Sequence, residues 1–344
     1  MTTSTFGASS LESQRYLITG AMGCIGAWTV ANLVRRGVQV VAFDLGSDSR
    51  RVRQLTTLEE FGAVTFAQGD ITELNSLERA LDDHGITRVI HLAALQVPFC
   101  RANPPLGALV NVVGTVNVFD AVSRRADRIG PVVYAGSVGM FSATDVDPVS
   151  GRLEPNTVAH PINHYGVYKQ ANEATAGIYW RENGIASIGV RPMTVFGMGR
   201  DQGITSGPTK AILAAVLGQH YEIGFGGKTL FNYADDVARA LVLASSSNVR
   251  GALTFNLPGS LARVRDFVAS LEDVVPESAG LIRAAEEALP FPEEISDAGF
   301  DAIGDMRVTP LQVAIRTTVE LFRSRLADGR LVPEEYGLEP ASRE

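Results

Sequence analysis

The sequence predicts an α/β protein, a doubly wound parallel sheet with a smaller C-terminal lobe. Three observations carry that prediction. Short runs rich in Val and Ile alternate with longer helical patterns over the first two thirds of the chain. Three glycines fall between the first such run and the first helix, and beyond Arg191 the pattern loosens into segments punctuated by Gly and Pro. At 344 residues, 45% apolar and 20% charged, the chain can bury a sizeable core and is long for one compact domain.

In chain order the expected strands are "YLITG" (16–20), "VQVVAFD" (38–44), "VTFAQGD" (64–70), "RVIHLAA" (88–94), "PVVYAGS" (131–137) and "ASIGVRP" (186–192). Each is a short, nearly continuous apolar run, the pattern of a strand covered on both faces. Helices are expected at about 24–36, 73–84, 105–126 and 164–182. Gly37 after Arg35 and Arg36 marks the end of the first helix, because glycine suits a left-handed cap and cations suit a helix C-terminus. The expected division is a flexible tail over 1–13, a nucleotide-binding domain of 14–192 plus 232–257, and a substrate lobe of 193–231 plus 258–344.

Composition narrows the function. Cys24 and Cys100 are the two cysteines, too few for a disulfide framework or a Cys-rich metal site, which fits a reducing compartment and a cytoplasmic protein. No metal site is expected. A formal charge of −8 offers no basic field for nucleic acid. No run approaches the roughly 18 continuous apolar residues of a membrane helix, and the first residues lack the basic-then-apolar order of a signal peptide, so no membrane partner is expected.

"YLITGAMGCIGAW" sets Gly20, Gly23 and Gly26 between the first strand and the first helix. A tight turn, bare backbone and helix N–H groups at that junction suit a dinucleotide diphosphate. Asp44 ends the second strand, where a carboxylate accepts from ribose hydroxyls and repels a 2′-phosphate. NAD is therefore expected over NADP, with Arg50 and Arg51 as the residues that speak for NADP.

Tyr165 and Lys169 are four residues apart, on one face of the expected helix. Free tyrosine titrates at about 10, and a neighbouring ammonium favours the phenolate that a general base requires. Ser137 ends a sheet strand, where ligands collect in such folds and where a hydroxyl can hold the same substrate oxygen. Taken alone, such a Tyr and Lys are ordinary helix surface; the glycine loop is what favours chemistry.

Here the motifs resemble a family. "TGAMGCIG", "GD" (69–70), "HLAA" (91–94), "NVVGTVNVFDA" (111–121), "YAGS" (134–137), "YGVYK" (165–169), "RPMTVFGMG" (191–199), "NYADDVA" (232–238) and the stretch 303–320 are similar to the extended short-chain dehydrogenase/reductases, the NAD-dependent epimerase/dehydratase group. The resemblance implies a Rossmann-type fold and Tyr165 as general acid/base. It implies that Lys169 holds the nicotinamide ribose, Ser137 positions the reacting oxygen, and Asn111 supports a helix kink and proton relay. The cofactor-binding set it implies is Gly20, Gly23, Cys24, Ile25, Gly26, Asp44, Asp70, Ile71, Leu92, Ala93, Ala94, Tyr165, Lys169, Pro192, Thr194 and Val195. Asp70 and Ile71 would flank adenine, and Ala93 and Ala94 the nicotinamide.

Three departures bear on substrate. "SVGMFS" has Phe141 and Ser142 where many members carry a second tyrosine. Thr229, beside Lys228, stands where nucleotide-sugar enzymes tend to place a diphosphate-binding Arg, and "GSVGM" offers no dehydratase carboxylate. The expected substrate contacts are Ser137, Val138, Arg200 and Lys210, the last two for an anionic group. His160 and His164, beside the tyrosine helix, are further candidates, whereas His91 and Cys24 are expected to be packing residues. The helix near 105–122 has almost no polar face, which predicts a homodimer built on it and the Tyr165 helix. The expected function is NAD-dependent hydride transfer at a secondary alcohol or ketone carbon of a sugar, sugar acid or similar small polar molecule. Nucleotide-sugar epimerisation with tightly bound NAD and a non-catalytic NAD-binding redox sensor are the alternatives.

Overall fold

The computed structural model describes residues 13–340, so all of the expected N-terminal tail but Ser13 lies outside the described residues. The strands are β1 (Arg15–Thr19), β2 (Gln39–Asp44), β3 (Val64–Gln68), β4 (Arg88–His91), β5 (Val132–Ala135), β6 (Ser187–Arg191), β7 (Thr194–Phe196), β8 (Tyr221–Ile223), β9 (Lys228–Tyr233), β10 (Ala252–Asn256), β11 (Ser260–Arg263) and β12 (Ile282–Ala284). Seven of them form one parallel sheet in the order β10-β6-β5-β4-β1-β2-β3. The remaining strands make a small β11-β9-β7 sheet and a β12-β8 pair.

The longer helices are α1 (Cys24–Val34), α4 (Leu74–Asp83), α6 (Pro104–Ser123), α7 (His164–Asn183), α8 (Gly207–Leu217), α9 (Ala234–Ser246), α10 (Val264–Val274) and α11 (Leu311–Ala327), with the shorter α2 (Arg50–Leu55), α3 (Leu58–Gly62) and α5 (Val97–Ala102) between them. Those three short helices escaped the sequence reading, because five or six residues do not establish a helical period.

The central sheet is covered on both faces because its side chains alternate. Tyr16 and Ile18 of β1, with Val40 and Ala42 of β2, enter a cluster shared with α1, α9 and the lobe. Leu17, Val41 and Phe43 point the other way, into a cluster with Leu77, Val118 and Phe119 from α4 and α6. The first cluster runs on into the β11-β9-β7 sheet and α10 through Phe196, Phe231 and Phe267, the last two stacked at 4.9 Å between ring centroids.

The segment Pro104–Ser123 is long and apolar enough to cross a membrane by length and composition, with mean hydropathy 1.5, although it is not a continuous apolar run. In this fold 44% of it is buried; it packs on α4 and α7 and is tied to loop backbone through its polar residues. Asn117 Nδ2 donates to the carbonyls of Ile71 and Thr72, both at 2.9 Å.

Candidate active site

The strand order reverses at β1, which lies between β2 and β4, so a crevice opens at the C-terminal ends of these strands. The glycine loop occupies it. Gly20 has φ +67°, and a Cβ there would lie 2.5 Å from the Ala93 nitrogen. A Cβ on Gly26 would meet the Gly20 carbonyl oxygen at 2.2 Å. These two contacts press the loop against β4 and the helix against the loop. No side chain caps the first turn of α1, whose N–H groups are left for an anion. Asp44 closes the loop's far side: its Oδ2 accepts from Met22 N–H at 2.9 Å and its Oδ1 from Gly46 N–H at 3.2 Å.

Arg50 and Arg51 are committed elsewhere. Arg51 makes a two-point ion pair with Asp201 (2.6 and 2.9 Å) and donates to the carbonyls of Met22 and Gly199. Arg50 lies against Asp48 and Glu335. Asp70 folds into a turn in which its Oδ1 accepts from Thr72 N–H and Thr72 Oγ1–H, both at 2.8 Å.

Behind the loop runs a buried hydrogen-bond chain. Thr115 Oγ1 donates to the Asn111 carbonyl (2.7 Å), so it accepts from His91 Nε2–H (3.0 Å). His91 Nδ1 then accepts from Thr19 Oγ1–H (2.7 Å), and Thr19 Oγ1 in turn accepts from the N–H groups of Leu92 and Ala93. Burial pulls the His91 pKa down to about 3, leaving the ring neutral. His91 is thus the satisfied sheet residue expected from its place at a strand end.

Tyr165 and Lys169 lie in the first turns of α7. Asn163 caps that helix, its Oδ1 accepting from Gly166 N–H at 2.9 Å, and Gly184 at φ +69° ends it. Lys169 is 5% exposed; its Nζ donates to the Ala135 carbonyl at the end of β5 (2.7 Å) and lies 5.6 Å from the Tyr165 ring centroid. Ser137 follows β5 and accepts from Gly139 N–H at 3.0 Å, so its own proton is free to donate. Asn111 sits in a π-helical turn, Leu109–Val113, and clasps Leu95 by accepting from its N–H (2.7 Å) and donating to its carbonyl (2.9 Å).

A cleft of about 550 Å³ joins these parts. Gly20, Gly23, Cys24, Ile25, Gly26, Asp44, Asp70, Ile71, Leu92, Ala93, Ala94, Pro192 and Val195 line it together with Ser137, Tyr165, Lys169 and Arg200. Four expected site residues do not. Asn111 and Val138 are buried behind the wall, Thr194 is turned to Thr229 Oγ1 (2.7 Å), and Lys210 lies along α8 outside the lining. Neither His160, paired with Asp145 at 2.7 Å, nor the exposed His164 reaches the lining. Cys24 does line the cleft, but burial pushes its thiol up to about 12, which leaves it protonated at neutral pH. Sequence reasoning missed Gln96 and Phe291 in the wall, since each comes from a segment with no motif and only folding brings them there.

The polar density expected around Arg200 has a definite arrangement. Its guanidinium donates to Gln96 Oε1 (3.3 Å) and Thr205 Oγ1 (3.1 Å), across the mouth of the cleft, while its Nε is buried without a partner. Among the described residues no carboxylate pairs with it.

Comparison with known proteins follows the same lines. The chain is 30% identical over 278 residues to UDP-glucuronate 4-epimerase 2 of Arabidopsis thaliana, covering 74% of this chain and 63% of that protein. It is 28% identical over 325 residues to the UDP-glucose 4-epimerase of Mycolicibacterium smegmatis, covering 90% of this chain and 99% of the relative. The match spans under two thirds of the length of some curated relatives, 55% for one from Sinorhizobium fredii. The fold superposes on the UDP-glucose 4-epimerase of Thermus thermophilus, solved in complex with NAD, with a TM-score of 0.76 at 24% identity, covering 90% of this chain and 99% of that one. The sequence profile of the NAD dependent epimerase/dehydratase family matches residues 16–257, and with the glycine loop, Tyr165 and Lys169 gathered in one cleft, the chain belongs to that family.

Proposed function

We propose that the protein transfers a hydride between NAD and the secondary alcohol or ketone carbon of a small polar substrate such as a sugar or sugar acid, with Tyr165 as general acid/base. The observation that carries this reading is the buried Lys169 ammonium, held by the Ala135 carbonyl beside the Tyr165 ring, in the cleft that the uncapped glycine loop opens. The loop fits a dinucleotide: bare backbone at Gly20 and Gly26 and free helix N–H groups would take its diphosphate. Asp44 would accept from the ribose hydroxyls with the lone pairs its two backbone contacts leave over. With Arg51 paired to Asp201 and Arg50 beside Asp48 and Glu335, neither of these two arginines stands open for a 2′-phosphate, which favours NAD over NADP.

NAD, when bound, supplies the hydride acceptor. Ser137 donates to the reacting oxygen and orients it, Tyr165 takes the hydroxyl proton, and Lys169 keeps positive charge beside the phenol as that proton moves. In the reverse direction Tyr165 returns the proton to the ketone oxygen. Arg200 is the contact for an anionic group on the substrate. Tyr165→Phe is expected to lower turnover by about 10²–10⁴ while leaving NAD affinity unchanged, read by tryptophan fluorescence; unchanged turnover would remove Tyr165 from the chemistry.

Nucleotide-sugar epimerisation is a second reading, favoured by the names of the Arabidopsis and Mycolicibacterium relatives. Following NADH absorbance and carbon products together separates the two. Stoichiometric NADH with an oxidised product supports a dehydrogenase, and a new stereoisomer without net NADH supports an epimerase.

A further inference from the structure

The cleft lining includes the apolar Leu95, Val97, Met193, Ile204 and Phe291, of which Leu95 follows β4 and Met193 follows β6. Phe291 is buried and rides on a strap, residues 285–296, that is anchored on both sides of it. Gly226 N–H donates to the Glu287 carbonyl (2.7 Å) on one side. On the other, Leu153 N–H donates to the Glu294 carbonyl and Ser296 N–H to the Leu153 carbonyl, both at 2.9 Å. Behind Met193 lies a buried apolar cluster that includes Val138, Phe141, Leu230 and Ile295, and apolar side chains solvate charge poorly.

Positive charge in the lining is scarce. Among the described lining residues the cations are Arg51, Lys169 and Arg200. Arg51 is neutralised by Asp201, and Lys169 is tied to Ala135 below Tyr165. Lys228, close to Met193 through its neighbour Thr229, is spent on Glu294 (2.6 Å), with Glu293 accepting from its backbone N–H. A nucleotide substrate would bring a second diphosphate into a cleft whose one uncompensated guanidinium, among the described lining residues, is Arg200. Burying unpaired phosphates there is costly.

Resting on the hydride-transfer part of the reading above, and replacing its sugar by a less polar class, we propose that the substrate is a short secondary alcohol with an aliphatic arm and at most one carboxylate, without nucleotide or phosphate, and that Phe291 limits the length of that arm. The reaction balances as a two-electron oxidation. The carbinol C–H leaves with its electron pair to oxidised nicotinamide, the hydroxyl proton goes to Tyr165, and the C=O bond forms.

The test uses the NAD-saturated full chain. Calorimetric titration with UDP and with UDP-glucose to about 1 mM should show no binding. NADH formation across a series of aliphatic secondary alcohols and hydroxy acids should rise about fourfold in kcat/KM per added methylene up to a limiting length. Phe291→Ala should extend that limit and raise kcat/KM for the longest members about tenfold, with Phe291→Leu, the gentler change, moving it the same way. Micromolar binding of UDP, an unchanged length profile in both variants, or no oxidation across the series while NAD binds would each overturn the proposal. Failure of NAD to quench tryptophan fluorescence would overturn the hydride-transfer reading itself, and this one with it.

Discussion

Gly26 and His91 show how single residues hold the site together from behind. Any side chain on Gly26 collides with the Gly20 carbonyl, so Gly26→Ala is expected to cost about 1–3 kcal/mol and to weaken NAD binding, checked by thermal unfolding with and without NAD. His91 links stability to pH. Its folded pKa, about 3, lies below the ordinary 6.5, so between those values the unfolded chain binds a proton that the folded chain refuses. Its contribution is therefore intact above about 6.5 and is lost as pH falls towards 3, amounting to about 2 kcal/mol between pH 7 and 5. Urea unfolding of the parent and of His91→Gln at the two pH values should show that difference in the parent and a flatter profile in the variant. The identities of Tyr165, Lys169 and Ser137 were legible from spacing and strand context. The Thr19–His91–Thr115 chain was not, because its members are 72 and 24 residues apart and meet only when β1, β4 and α6 pack.

At the scale of elements, α7 and α6 position the chemistry by opposite means. Helix α7 is a regular 20-residue helix whose Asn163 cap precedes Tyr165 by two residues, so loss of the cap frays the turn that carries the phenol. Asn163→Ala should cost about 1 kcal/mol and lower the melting temperature by about 1–2 °C. Turnover should fall roughly tenfold, within what a misplacement of about 1 Å can cost, with NAD affinity kept. Helix α6 is interrupted by its π turn, which aims Asn111 at Leu95 and so braces the cleft wall. Hydrophobic patterning found both helices, but it could not find the π turn, because one extra residue in a nearly all-apolar run leaves no mark on periodicity.

For the whole molecule, the apolar excess of α6 has an outlet. Its buried face, with Val118, Phe119 and Val122, joins the core, and Leu106 and Leu109 line the cleft, while Val113 stays 42% exposed, as do Val167 (48%) and Ile178 (41%) of the neighbouring α7. An apolar stripe across two neighbouring helices fits a second copy of the chain. Light scattering at micromolar concentration is expected to give twice the chain mass, and Val113→Asp with Val167→Asp to give a monomer that keeps its fold, since neither side chain is buried or lines the cleft. A monomeric parent would contradict the dimer.

The alternation of apolar runs, the glycines at the first strand-to-helix junction and the Tyr165–Lys169 spacing determine the sheet, the glycine loop and the shared helix face of that pair, because each depends on neighbours within a few residues. Tertiary structure alone decides that Arg51 pairs with Asp201, that Lys228 is spent on Glu294 and that Phe291 lines the same cleft as Ser137. The two ion pairs join positions 150 and 66 residues apart, and Ser137 and Phe291 are 154 apart (291 − 137); separations of that size carry no local signal.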